Sequence, residues 1–496
     1  MFDLSFSTMG GLGLLAALAG LGGLVGIGEG LRTAGVPVRT TRRLVHGGVG
    51  LFVAATPWMF ATPLPVYILA GLFCVLNAAA RARKWWAGIH EARPESWGTV
   101  AMPLAVVPAL AATWSVGGDR AFIFQTAFLV LAVADPLAGS IGESYGRQTL
   151  VSGATWIGSS TFFGTAALLV GSVLVGTEPW SPERTVPAAV AVAFVATAVE
   201  AVCGRGEDNL FVVLAVVLIL TPLHETSITT APLVWGLIVG VGVCGAARWS
   251  RVLDARGAVG AGLFAASLVG LGGWAWAMPG FAFFLLSSAL SWLPGGEETE
   301  DEETTDRAPT RTLRQVVANG GVAWGLLGTW VVLPPGSSGA QIICYAGFLG
   351  ALASAAADTW ATELGGRLSH RPRSLRTLQP VPPGTSGAVS LAGTGAAALG
   401  AASVAGAAWG VGSPPAGTTE LWVGAASAGL IGMAVDSIAG ATIQAQYRNP
   451  ETGRLVEQPV PGTSPTRGWR GVDNEVVNLL GTTAGAAAAI ALTVGI

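Results

Sequence analysis

Residues Gly257–Ser291 read GAVGAGLFAASLVGLGGWAWAMPGFAFFLLSSALS, a run without one Asp, Glu, Lys or Arg. A helix crosses the hydrocarbon core of a bilayer with about 20 mostly apolar residues, so this run is long enough to enter a membrane and has no charge to hold it in water. Working outward, similar runs recur from end to end: Gly10–Gly28, Ala121–Ala134, Val186–Ala198, Phe211–Leu220, Val381–Val411 and Leu479–Ile496. Hydrophobic residues make up 51% of the 496, charged residues only 11%, and mean hydropathy is +0.59. A soluble domain carries about 25% charged residues, so soluble cores with buried helices lack the charged surface they need. Backbone groups in lipid must be bonded internally, which leaves helices or closed barrels. A barrel alternates over segments of about 10 residues, and these runs are continuous and too long. The expected fold is an all-α polytopic membrane protein of about 14 to 17 transmembrane helices.

Small residues, dense in Thr394–Trp409, point to close helix packing. Residues 1–28 lack a basic leader and a clear cleavage site and read as a retained first helix. Cys74, Cys203, Cys244 and Cys344 lie in or beside apolar segments without metal-ligand spacing and read as reduced thiols. The net charge of -3 comes with no basic patch suited to a duplex, which excludes nucleic acid as a partner.

One segment breaks the pattern. Gly295–Asp306 is acidic and polar, flanked by Pro294 and Pro309, and reads as a solvated linker over 295–310. Polar constellations fall into two sets on either side of residues 222–232, so two membrane modules are expected, 1–228 and 229–496, the linker lying inside the second. Basic residues cluster at Arg39, Arg42 and Arg43, at Arg81, Arg83, Lys84 and Arg93, and at Arg367, Arg371, Arg373 and Arg376. The positive-inside tendency puts these loops, and the polar sites beside them, on the cytoplasmic face of an inner or plasma membrane.

In the first module, Arg42, Arg43 and His46 open an apolar segment. Arginines there clamp phosphate oxygens or set topology. Asp135 closes an apolar run, where a carboxylate is expensive and usually functional, and Pro136 is expected to end or kink the helix. Gly139, Gly142 and Gly146 let backbone approach a ligand, and with Arg147 they suit a magnesium-bound nucleotide. Ser159 follows before a new helix; then come Glu200 at the end of an apolar run and Asp208-Asn209, which also serves as a helix cap. Arg42-Arg43-x-x-His46, Asp135-Pro136-x-Ala-x-x-x-Gly142, Trp156-Ile-Gly158-Ser159 and Glu200 followed by Asp208-Asn209-Leu210 occur in that order. On these features residues 39–220 resemble the dolichol kinase and phytol kinase family of CTP-dependent membrane lipid kinases. The resemblance implies transfer of a nucleotide γ-phosphate to a polyprenyl-type alcohol. Such proteins usually carry Lys near the Gly-Ser segment; here Gly153-Ala154-Thr155 stands there, with Arg147 as the nearby basic residue.

In the second module, Arg314, Gln315 and Asn319 enter an apolar segment, and Asp358 and Glu363 end another. Five residues apart, these two carboxylates do not share a face of a regular helix, so a bend at Gly365-Gly366 is expected to bring them to one metal. Gly384, Thr385, Ser386 and Gly387 form a turn whose amides cradle phosphate or simply make an interfacial bend. Asp436 lies deep in an apolar run; Asp473, Asn474 and Asn478 open the last helix. Asp358, Asp436 and Asp473, on separate helices, are expected to converge on Mg2+ and a polyphosphate. Asn319-Gly320-Gly321, Asp358-Thr-Trp-Ala-Thr-Glu363-Leu-Gly365, Val381-Pro-Pro-Gly384-Thr-Ser-Gly387, Asp436-Ser-x-x-Gly440-Ala and Asp473-x-Glu475-x-x-Asn478 resemble a second membrane family, which includes the phytyl-phosphate kinase of tocopherol synthesis. The resemblance covers about 235–495 and implies phosphorylation of a prenyl monophosphate to the diphosphate.

Together the modules imply a bifunctional enzyme that phosphorylates a prenyl alcohol twice, with CTP as donor, Mg2+ as cofactor, and the lipid tail in the membrane. Asp135, Asp208, Asp358, Asp436 and Asp473 are the expected metal or nucleotide carboxylates, supported by Glu200 and Glu363. Two rivals use the same residues. A cytidylyltransferase acting on a lipid phosphate would release pyrophosphate, and a secondary transporter would move substrate without nucleotide turnover.

Overall fold

The computed structural model describes residues 8–83, 96–225, 228–291, 310–334, 336–369, 371–381, 385–411, 419–450, 453 and 455–495. Lys84, Arg93, Gly384 and residues 295–309 of the acidic linker lie outside the described residues. The chain divides into two compact units, Met1–Val234 and Trp235–Ile496.

Both units are helical and built for a bilayer. Among the described residues 11 helices are long and apolar enough to span, and Gly98–Ala112, Asp208–His224 and Trp274–Leu290 are shorter apolar helices. Together they reach the lower end of the range read from the sequence. Sheet is confined to two antiparallel pairs of two-residue strands, β1 (Arg373–Ser374) with β2 (Ala388–Val389) and β3 (Tyr447–Arg448) with β4 (Leu455–Val456).

In the first unit, α1 (Thr8–Thr33), α2 (Val38–Met59), α3 (Leu64–Ala82), α4 (Gly98–Ala112), α5 (Ala121–Tyr145), α6 (Trp156–Thr177), α7 (Pro182–Val202) and α8 (Asp208–His224) follow one another. Core residues Ile123, Phe124, Phe128 and Leu131 of α5 are fully buried. Glycine sets the distance to α2: a Cβ on Gly50 would lie 2.7 Å from Ala132 Cβ, and one on Gly47 3.0 Å from the Ala132 carbonyl. That approach draws His46 on α2 to Asp135 on α5. Pro136 neither ends nor breaks α5, which runs nine residues past it to Tyr145. Proline removes one backbone bond, but ending the helix inside the bundle would strip several carbonyls of partners in an apolar medium.

In the second unit, α9 (Thr230–Trp249) leads into α10 (Ala255–Ser267), extended by a π turn at Leu268–Gly272, then α11 (Trp274–Ser291), α12 (Leu313–Val332), α13 (Ser338–Leu368), α14 (Leu391–Gly410), α15 (Thr419–Thr442) and α16 (Asn474–Val494). α13 is the central post: every residue from Cys344 to Ala357 is buried, with α12, α14, α15 and α16 packed around it. Small residues make this possible. A Cβ on Gly350 would lie 2.4 Å from the Gly485 carbonyl of α16, one on Gly429 2.8 Å from Ala353, and one on Gly432 2.6 Å from the Gly481 carbonyl. Ser354 Oγ donates to the Gly481 carbonyl at 3.0 Å. No bend occurs at Gly365-Gly366, since α13 is one helix to Leu368. Gly365 instead takes the backbone of Gly393, whose Cα would be 2.8 Å from an added Cβ.

Helix starts at one end of this unit carry their own caps. Asp254 accepts from Gly257 N, Ser390 from Gly393 N and Asp473 from Val476 N, while Thr312 and Gln315 form a capping box. Each satisfies amides that a helix start leaves open. The same end gathers Arg248, Arg251, Arg256, Arg311, Arg314, Arg367, Arg371, Arg373, Arg376, Arg448, Arg467 and Arg470, whereas the described connections at the other end, around 268–273 and 333–337, carry no Lys or Arg.

Candidate functional site

The second unit places two carboxyl groups together with no basic partner. Asp358, ten residues before the end of α13, and Asp436, six before the end of α15, bring their carboxyl groups within interaction distance of each other. Neither forms a salt bridge among the described residues. The glycine contacts among α13, α15 and α16 create the pair, for Gly481 of α16 lies so close that an added Cβ would be 3.0 Å from Asp436 Cβ. Asn478, on the same helix face as Gly481, donates its amide to Asp436 Oδ2 at 3.2 Å and to the Asn474 carbonyl at 3.1 Å. The other amide atom of Asn478 is 3.5 Å from Asn319 Oδ1. Four helices thus converge on one polar pocket at the capped, arginine-rich end.

Two further acids stand apart from the pair. Glu363 lies about 140° around α13 from Asp358 at 100° per residue, and it faces Arg367 at 3.2 Å and Arg311 at 3.8 Å. Asp473 caps α16 and pairs with Arg314 at 2.7 Å. The expected convergence of three aspartates is therefore a pair of aspartates, with Asp473 and Glu363 each held by arginine instead. Among the described residues no three Asp, Glu, His or Cys side chains form a group that holds a metal by itself. The two carboxyl groups of the pair are hard oxygen donors, the kind a magnesium ion takes from protein.

The residues just before β2 pack on the end of α15. Ser386 Oγ donates to Gln444 Oε1 at 2.6 Å, and Gly387, at φ +72, presses on Ala441. Thr385 accepts from Ala388 N through its carbonyl. Gln444, two residues past the end of α15, bonds this segment, and Arg467 feels the charge of Arg376; sequence reasoning singled out neither, because no local pattern marks them. Next to Asn319, a cavity of about 80 Å³ is lined by Phe264, Phe281, Phe283, Phe284 and Gly320, with Arg311, Gln315 and Asn319 at its polar side.

The first unit assembles a comparable cluster. His46 Nε2 is 3.3 Å from Asp135 Oδ2, a contact outside hydrogen-bond geometry. Glu200 at the end of α7 feels the charges of both Asp135 and Asp208, and its Oε2 is buried without a partner. Arg42 lies within electrostatic reach of His46 and Asp208. Arg43 is tied to Glu143 at 2.8 Å, and Arg147 is exposed after α5. Ser159, 7% exposed in the first turn of α6, has an unpartnered Oγ. Two expected ligand contacts are packing contacts instead. Asn209 gives its amide to the Gly98 carbonyl at 2.9 Å, fastening α8 to α4. Gly142 lets α5 meet the start of α6, where an added Cβ would be 2.9 Å from Thr155 Oγ1.

Comparison with known proteins locates the second unit in a family. Residues 237–486 match the family described as Integral membrane protein DUF92. Protein PGR of Arabidopsis thaliana is 29% identical over 226 residues, covering 40% of this chain and 74% of that protein. An uncharacterized membrane protein of Methanocaldococcus jannaschii is 30% identical over 154 residues, covering 31% of this chain and 60% of that protein, less than two thirds of its length. No solved structure matches the chain. With half of its length matched, and that half built as a glycine-packed helical unit for the bilayer, the chain belongs to the DUF92 integral membrane protein family.

Proposed function

We propose that the second unit transfers the γ-phosphoryl group of a nucleoside triphosphate to a prenyl monophosphate, and that the first unit phosphorylates the parent prenyl alcohol. The observation that carries this reading is the Asp358–Asp436 pair, two neighbouring carboxyl groups that form no salt bridge among the described residues, set within an apolar bundle. Carboxylates so placed are costly and functional by default. Asp358 and Asp436 would hold a magnesium ion together with nucleotide phosphates, and the bound ion supplies neutralisation of the charge on the phosphates being joined. Asn478 fixes the orientation of Asp436. In the transfer, an oxygen of the prenyl phosphate forms a bond to the γ-phosphorus, the bond from that phosphorus to the β–γ bridging oxygen breaks, and the nucleoside diphosphate leaves. No proton need be removed from an ionised phosphate. In the first unit the attacking alcohol must lose one, and the Asp135, Glu200 and Asp208 carboxylates are the group to receive it.

Two features support a lipid substrate and a cytoplasmic donor. The apolar cavity beside Asn319 suits the first part of a prenyl chain whose head lies at Asp436. Arginine crowds the site end of the second unit, a distribution that supports a cytoplasmic position for this end, in an inner or plasma membrane.

The test uses the purified protein with Mg2+, γ-labelled CTP, and phytol or phytyl monophosphate. Diphosphate from either substrate, with CDP released, is the expected result. Diphosphate from the monophosphate alone confines the chemistry to the second unit. Pyrophosphate release with a CDP-lipid product overturns the kinase reading in favour of cytidylyl transfer. Substrate flux into vesicles without nucleotide turnover overturns it in favour of transport.

A further inference from the structure

Beyond the end of α15, several hydrogen-bond donors are buried without a bonded acceptor. Gln444 is 1% exposed; its Oε1 takes the Ser386 hydroxyl, but its Nε2 has no hydrogen-bond partner. Arg467 Nε and Nη2 are likewise buried without an acceptor. The backbone holds Arg467 in place: its carbonyl accepts from Gln446 N at 2.9 Å and its N–H donates to the Gln446 carbonyl at 3.3 Å. Gly468, at φ +76, packs on Gln444 so tightly that an added Cβ would be 2.0 Å from the Gln444 carbonyl oxygen. The charged neighbour of Arg467 is another cation, Arg376, on the turn after β1; burial and then the Arg376 charge push the Arg467 guanidinium below its ordinary value. Glu457 approaches Gln444 and leaves Nε2 without a hydrogen bond of normal geometry. Desolvated donors without acceptors are unfavourable, and two cations side by side add to the cost. A multiply charged anion removes both.

We propose that Arg467, Arg376 and Gln444 Nε2 form a phosphate-binding subsite that takes the α- and β-phosphates of the donor nucleotide. The inference rests on the kinase reading for the identity of its ligand. Phosphate chemistry alone fits a lipid head group equally, but position favours the donor. Arg467 sits in the loop between β4 and α16, beyond the end of α15, whereas Asp436 lies six residues, about 9 Å, inside that helix, so Arg467 lies on the aqueous side of Asp436. A prenyl phosphate is anchored at membrane level, whereas a polyphosphate reaches from this loop down to Asp358 and Asp436. Arginine grips phosphate bidentately, and the Gln444 amide adds a neutral donor.

The experiment measures binding of inorganic tripolyphosphate to the purified full chain by calorimetry at low ionic strength, without metal or prenyl substrate. Wild type binds; Arg467→Gln weakens binding tenfold or more, Arg376→Gln several-fold, and Arg467→Lys restores part of the loss. CTP displaces the tripolyphosphate and geranylgeranyl monophosphate does not. Absence of binding to wild type, or unchanged affinity in both glutamine variants, overturns the subsite. Displacement by the prenyl phosphate but not by CTP overturns the assignment to the donor. If Arg467→Gln fails to fold, the exposed Arg376 still decides the matter. Binding that depends on Arg467 in a protein that phosphorylates no prenyl substrate upholds the subsite and sinks the kinase reading, so the two fail separately.

Discussion

Asp436→Asn separates a functional carboxyl pair from a structural one. Two ionised carboxylates about 4 Å apart repel by about 4 kcal/mol at an effective dielectric of about 20, a cost the native pair offsets with a shared proton or a cation. Asparagine keeps the shape: its amide nitrogen can donate to Asp358 while its oxygen still accepts from Asn478. The variant is therefore expected to match wild-type stability or exceed it by about 1–2 kcal/mol, since active sites trade stability for function. Ligand response moves the other way. Magnesium-nucleotide at about 100 times its Kd stabilises wild type by about 2.7 kcal/mol, which at about 2–4 °C per kcal/mol for a unit of this size is a rise of roughly 5–10 °C in Tm. Asp436→Asn should lose most of that rise and reduce diphosphate formation a hundred-fold or more. Thermal unfolding in detergent with and without magnesium-nucleotide, beside turnover with a prenyl phosphate, measures all three quantities. A variant destabilised by more than about 2 kcal/mol whose response to magnesium-nucleotide is intact would refute the reasoning and make the pair a structural contact.

Gly350→Val places a side chain where a Cβ already lies 2.4 Å from the Gly485 carbonyl; backbone cannot yield as a side chain does, so a loss of about 1–3 kcal/mol or more is expected in thermal unfolding, with diphosphate formation falling as α13 and α16 separate. Asn209→Ala leaves the buried Gly98 carbonyl without its donor and should cost about 1–3 kcal/mol while the KM for nucleotide stays unchanged; a KM effect without destabilisation would return Asn209 to the binding site. Glu200→Gln is expected to abolish phosphorylation of the alcohol and spare that of the monophosphate, read by supplying each substrate separately. Gly320→Leu extends toward Phe264, 3.1 Å from the position of an added Cβ, and fills the cavity, so preference among prenyl phosphates should shift to shorter chains, chiefly through KM.

Much of the molecule was legible along the chain because a bilayer imposes a local rule. Every backbone group must be bonded within its segment, so apolar length alone identifies a helix. Carboxylates in such helices stand out by their cost, as Asp135, Glu200, Asp208, Asp358 and Asp436 do. The capped start at Asp473 depends on a contact within three residues, which is why its place at the opening of the last helix was legible along the chain.

What polarity and spacing leave open is the direction in which each side chain points and what it meets. Pro136 and Gly365-Gly366 look like breaks in one dimension, yet α5 and α13 run through them, because neighbouring helices make an unbroken ladder cheaper than exposed carbonyls. Asp358 and Glu363 belong to one motif but to different faces. Asp473 and Asn209 read as ligands until Arg314 and the Gly98 carbonyl, each more than a hundred residues away, prove to be their partners. Gln444 and Arg467 are unremarkable residues until their donors are found buried without acceptors. The sequence by itself determined a helical membrane protein, since that follows from transferring each segment into lipid. The tertiary structure alone decided which acids form the pair, because that depends on glycine contacts between helices distant in the chain, and these set rotation and separation to within an ångström.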